Sequence, residues 1–152
     1  MIAFALFIGI TAGLRALAPI AIVSWAAQFG WLQLEGTRLA FLAAKVTAYI
    51  VSALALGELV TDKLPKTPSR KVPIQFGTRV LSGALCGAAF GAPSGATVLG
   101  LVLGAIGAVI GTLGGAAARA RLAQAFGNDL PAALLEDVVA VGGAILLVSR
   151  FA

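Results

Sequence analysis

Histidine is absent from this chain of 152 residues, cysteine and methionine occur once each, and only 11% of positions are charged. The missing histidine removes the commonest general base and the commonest metal ligand. One cysteine, Cys86, excludes an internal disulfide and a cysteine metal cluster. Six prolines and few polar tracts exclude a disordered linker, and no G-x-y period runs through the glycines, which excludes collagen. The motifs H-E-x-x-H, G-x-S-x-G and G-x-x-x-x-G-K-[ST] are all missing. A carboxylate-only membrane enzyme is the one catalytic class the residues still permit. We expect no enzyme, no cofactor and no metal.

What is present is apolar surface. Hydrophobic residues fill 60% of the chain, and the mean hydropathy is +1.02. A soluble domain carries roughly 25% charge, so this composition predicts an all-α integral membrane protein built from thin helices. The net charge of +5 is no sign of nucleic acid here. Most basic residues collect between apolar runs, where they set orientation and meet anionic headgroups. The first of them is Arg15, so the N-terminus lacks the basic start of a cleavable leader and is expected to stay in the first span.

Five transmembrane helices follow from the hydropathy pattern. The uncharged run Ala16 to Leu34 is just long enough to be the first, with an interfacial loop around Trp31 after it. Leu39 to Val60 is the second. Residues 61–73 form an aqueous loop broken by Pro65, Pro68 and Pro73. Between Arg79 and Arg119 lie 39 uncharged residues, twice one span, with a turn at Gly91 to Gly95. That gives Ile74 to Phe90 and Ala96 to Ala118, and Ala132 to Val148 is the fifth. Six Lys/Arg in loops 61–73 and 119–131, against Arg38 and Arg150 opposite, put both loops in the cytoplasm. An odd span count then places the N-terminus inside and the C-terminus outside.

Two segments recur. Gly13-Leu-Arg15-Ala-Leu17-Ala18 returns 64 residues later as Gly77-Thr-Arg79-Val-Leu81-Ser82, and Asp62-Lys-Leu64-Pro65 returns 66 later as Asn128-Asp-Leu130-Pro131. The order and offset suggest two tandem helical hairpins, about residues 10–66 and 74–131, followed by the C-terminal helix at about 132–148. If residues 2–12 form a separate half-helix, an inverted relation becomes possible.

Charges on apolar helices are the candidate site. Arg15 and Arg79 fall at equivalent places and either snorkel to lipid phosphates or face the bundle axis. Glu58 and Asp62 share one helix face, and negative charge there opposes the helix dipole. Glu136 completes the candidate set, while Asp137 suits a structural place in the opening turns, after Asp129 as helix cap. Lys45 is expected to snorkel, and Ser24, Ser52 and Ser82 to bond back to their own helices. Gly83 and Gly87 on one helix, and Gly100, Gly104, Gly107, Gly111 and Gly114 on the next, predict close backbone packing.

The segments Gly13 to Pro19 (G-L-R-A-L-A-P) and Gly57 to Pro65 (G-E-L-V-T-D-K-L-P) resemble a family of small bacterial membrane proteins classed as a domain of unknown function. The resemblance implies a bacterial inner-membrane protein and supplies no substrate or mechanism. The chain is also superficially similar to small fluoride channels, but its span number and Leu-Pro corners differ, and no pore residue carries over.

These readings point to a small transporter, channel or flippase for an anionic or proton-coupled solute. The alternative is a non-catalytic membrane scaffold or lipid-binding subunit. Membrane lipids and a second copy of the chain, as a homodimer, are the expected partners.

Overall fold

The computed structural model describes residues 2–62 and 72–152. Most of the proline-rich loop, with Pro65 and Pro68 and the Asp62-Lys-Leu-Pro65 repeat beyond its first residue, lies outside the described residues. Among those residues the fold is all-helical: α1 (Ile2–Leu14), α2 (Leu17–Gln28), α3 (Lys45–Thr61), α4 (Pro73–Gly91), α5 (Thr97–Phe126) and α6 (Asp129–Val148).

Helix ends follow local chemistry. Pro73 opens α4, where its missing N–H costs nothing. Asn128, not Asp129, caps α6 by accepting from the Leu130 amide at 3.1 Å. Gly127 closes α5 in the left-handed conformation, at φ 66°. Lys45 begins α3 and is exposed, so this helix starts later than Leu39, after a short 3₁₀ turn at Ala40–Ala43.

The first apolar stretch is two helices: α2 covers only Leu17–Gln28 of the span expected over Ala16 to Leu34, and Ile2–Leu14 forms a helix of its own, the alternative left open for residues 2–12. Pro19 has no amide proton, and its ring would clash with the carbonyl four residues back, that of Arg15. A continuous helix therefore fails at Arg15, while Pro19 is tolerated in the first turn of α2. The chain reverses there. Leu17 lies beside Glu58 near the end of α3, and Trp25 lies beside Ser52 and Tyr49 near its start, so α2 runs back along α3.

This extra reversal also changes where the ends fall. The ring of Phe151 packs edge-on against Phe4 at 5.4 Å and against Phe90 at 5.5 Å. Both termini thus lie at one end of the bundle, opposite Arg15. The expected N-terminus on one side and C-terminus on the other is replaced by two termini on the same side.

Three helices make the tight centre. Helix α5 runs parallel to α1 and antiparallel to α4, and glycines remove the side chains between them. A β-carbon on Gly104 would land on the backbone of Gly83 and Gly87, and one on Gly9 would land on Gly104. Gly87 and Gly100 oppose each other in the same way, and Gly107 and Gly111 meet Leu6 and Ile10 of α1. Gly114 meets nothing and stands apart from the face expected to contain it.

The larger apolar residues pack elsewhere. A core of Ile8, Val23, Leu32, Leu34, Leu42, Phe90 and Val148 fills the end away from Arg15. Many others face outward, including Val98, Ile106 and Ile110 on α5 and Val138, Ile145 and Leu146 on α6. Helices α5 and α6 are long and apolar enough to cross a membrane, and α1 and α2 are shorter apolar helices.

Candidate functional site

The break between α1 and α2 exposes backbone groups that no helix satisfies. The last carbonyls of α1 carry partial negative charge and the first amides of α2 partial positive charge. Both ends are buried, so protein groups must replace water. Arg79 Nη1 donates to the Gly13 carbonyl at 3.0 Å and also to the Leu14 carbonyl. Thr112 Oγ1 of α5 donates to the same Gly13 oxygen at 3.1 Å. Ser82 Oγ of α4 donates to the Ala16 carbonyl instead of its own helix. On the other side, the two oxygens of Glu58 accept from the Ala16 and Leu17 amides, each at 2.8 Å. A cation meets the negative end and a carboxylate meets the positive end.

Arg15 sits in the break itself with its side chain fully buried. Its Nε donates to Asp137 Oδ1 of α6 at 2.5 Å, and its Nη1 pairs with Asp62 beyond α3. Arg79 is only 2% exposed, with Nη2 at 3.5 Å from Asp62 and 3.8 Å from Glu58. Burying a charge is costly unless it is paired and hydrogen-bonded. Here two guanidiniums and three carboxylates from four different elements pair with one another, with Arg15 Nη2 left without a hydrogen bond.

Four of the five expected residues therefore come together: Arg15, Arg79, Glu58 and Asp62. The two arginines point into the protein, not outward to snorkel. Glu136 does not join them. It is drawn to Arg119, whose Nη1 donates to it at 3.4 Å, while Arg119 Nε and Nη2 grip Asp129 at 2.9 and 2.5 Å. Asp137, expected to be merely structural, takes the place beside Arg15. Adjacent residues on a helix point about 100° apart, so one faces α1 and the other α5. Ser82, Thr112 and Arg119 were missed as partners. The only sequence signal for Thr112 is a hydroxyl inside a long apolar run. Ser52 behaves as expected, bonding back to Ala48 at 2.7 Å, and it also accepts from Trp25 at 3.0 Å.

A cavity of about 380 Å³ lies against the break, between the start of α2, the end of α3 and the start of α4. Glu58, Asp62 and Arg79 line it together with Leu17, Ile20, Ile74, Thr78 and Ser82.

The family comparison decides the kinship. A family model described as "Domain of unknown function (DUF4126)" matches residues 2–150. The chain belongs to this family. No curated protein and no solved structure matches it. The resemblance drawn from the Gly13 to Pro19 and Gly57 to Pro65 segments thus leads to a domain of unknown function, and both segments supply residues to the break: Arg15 from the first, Glu58 and Asp62 from the second.

Proposed function

We propose that this chain is a small transporter of the bacterial inner membrane that moves a small solute, coupled to protons, through the cavity at the α1–α2 break. The observation that carries the reading is the break itself. Helices interrupted inside an apolar bundle, with their ends aimed at charged groups beside a cavity, are a recurring way to build a solute site in a membrane. Glu58 and Asp62 serve as the proton or solute acceptors, Arg79 holds the carbonyl end of α1, and Arg15 ties the break to Asp62 and Asp137. The engagement of both guanidiniums argues against the anionic option.

The setting is supported by the distribution of residues. Arg15 and Arg79 lie inside while many large apolar side chains on α3, α5 and α6 face out, the reverse of what water selects. Helices α1 and α2 are about 18–20 Å long, short of a hydrocarbon layer of about 30 Å. They suit a hairpin that enters the layer and turns back within it. The positive-inside rule puts Arg119 and Arg121 on the cytoplasmic side, which places both termini on the far side. The recurrence around Arg15 and Arg79 fits a duplicated hairpin, since α2 and α4 both run away from the arginines and α3 and α5 both return. A homodimer within the lipid is the assembly we favour.

The rival is a scaffold or lipid-binding subunit, for which the broad apolar faces of α5 and α6 speak. Reconstitution separates the two. Proteoliposomes on a solid-supported membrane, given a panel of small cations, anions and zwitterions under a pH gradient, should yield transient currents with the wild type. Folded Glu58→Gln and Asp62→Asn variants should lose them. Currents unchanged in both variants, or no current with any solute, would leave the scaffold.

A further inference from the structure

The end of the bundle that carries both termini has a surface unlike the rest. Resting on the membrane setting proposed above but not on transport, we infer that this end docks in a lipid headgroup layer. Trp25, Phe29, Trp31 and Tyr49, edged by Arg38 and Lys45, form a collar at the glycerol–phosphate level. The collar holds the ion-paired break about 18 Å beneath it.

Between α2 and α3 the chain sorts its apolar side chains by kind. Leu32, Leu34, Leu39 and Leu42 are buried, while Phe29, Trp31 and Phe41 are exposed. Gln33, Glu35 and Arg38 are exposed among them, as is Lys45 at the start of α3. Water selects against outward rings, and hydrocarbon selects against charges. Trp and Tyr prefer the boundary, where a ring meets acyl chain and an N–H or O–H meets phosphate or carbonyl. The outward faces of α5 and α6 between their ends are aliphatic instead.

The rings touch one another. Trp25 stacks on Phe29 at 5.7 Å and meets Tyr49 edge-on at 5.2 Å, and Phe29 lies 5.8 Å from Trp31. Rings in contact leave no space between them for a caged ligand and present a continuous band. Lys45 stands one turn before Tyr49 and brings positive charge to that band, which suits anionic phosphate.

Three helices measure the same depth. From Leu17 at the break, α2 runs about 18 Å to Gln28. Arg79 lies about 18 Å before the end of α4 at Gly91, and Thr112 about 22 Å beyond the start of α5 at Thr97. The break therefore falls past the middle of a hydrocarbon layer about 30 Å thick. Along α5, Thr97 and Arg119 are about 33 Å apart, so a collar in one headgroup layer brings Arg119 to the other.

Trp25 and Trp31 are the only tryptophans, so the emission of the full chain reports on the collar alone. The chain is reconstituted into phosphatidylcholine–phosphatidylglycerol liposomes and quenched with lipids brominated at successive acyl positions, or with aqueous iodide. The shallowest bromines should quench about twofold or more above the deepest, in the wild type and in Trp31→Phe. Strongest quenching by the deepest bromines would put the cluster in hydrocarbon. Iodide quenching without bromine quenching would put it in water, and quenching by neither would put a protein surface over it. Each of these results overturns the inference. A spin label on Gly114→Cys, an open position about 3 Å beyond Thr112, reads the depth of the break. Oxygen should relax it more than an aqueous nickel chelate does, and the reverse would contradict that depth. A shallow collar without any current would defeat transport and leave the docking standing. Currents with a deep or aqueous collar would do the opposite.

Discussion

Arg15 and Arg119 each hold a pair of carboxylates, and the settings differ. Arg15 is fully buried in a helix break, between Asp62 and Asp137 from distant parts of the chain. Arg119 closes the corner between α5 and α6, and its partner Asp129 is 59% exposed. Water reaches Asp129 and screens that contact, so its worth is small, while Glu136 on the other side of Arg119 is only 6% exposed. The first pair is almost closed to water, with Asp62 and Asp137 only 11% and 13% exposed, and removing Arg15 takes the cation from between them. Burial, not the number of contacts, sets what each arginine is worth.

That contrast can be broken experimentally. Arg15→Met should have the largest effect, a loss of about 3–5 kcal/mol, because it removes the fully buried guanidinium of the ion-pair network. Thermal unfolding in detergent would register it, and a loss no greater than that of Arg119→Met would erase the distinction. Gly104→Leu should be comparably damaging, since α1 and α4 both press on that position and the side chain would drive three helices apart. Size-exclusion profiles should show misassembly. Thr112→Val should cost about 1 kcal/mol, the worth of one hydrogen bond to a Gly13 carbonyl that Arg79 still serves. Arg119→Met should cost at most about 1 kcal/mol. Smallest of all, Gly114→Ala should be neutral or gain up to about 1 kcal/mol from helix propensity, because nothing approaches that position.

The sequence makes half of this site readable for a simple reason. Arg15, Arg79, Glu58 and Asp62 interrupt apolar runs, and charges that cannot reach water must find one another. The turn at Gly91 to Gly95 and the packing role of Gly104 are readable on equally local grounds. What is not readable depends on helix phase. Glu136 and Asp137 are chemically near-equivalent neighbours, and only the rotation of α6 against α1 and α5 assigns Asp137 to Arg15 and Glu136 to Arg119. The α1–α2 reversal is half visible in Pro19. Its stability, however, comes from a Glu58 carboxylate more than 40 residues away, and hydropathy alone reads the stretch as one span. That one missed reversal moves the N-terminus to the other end of the bundle, while α2 to α6 run in the directions expected.

A double-mutant cycle on Arg15 and Asp137, run beside a matched cycle on Arg15 and Glu136, tests the central placement most directly. Unfolding free energies of Arg15→Met, Asp137→Leu, Glu136→Leu and the two doubles supply every term. The account expects Arg15 and Asp137 to couple by about 2–3 kcal/mol, the upper range for contacting residues, and Arg15 and Glu136 to couple by less than about 0.5 kcal/mol. Coupling of Arg15 to Glu136 in place of Asp137, or to neither, would mean that the break is not locked as described here.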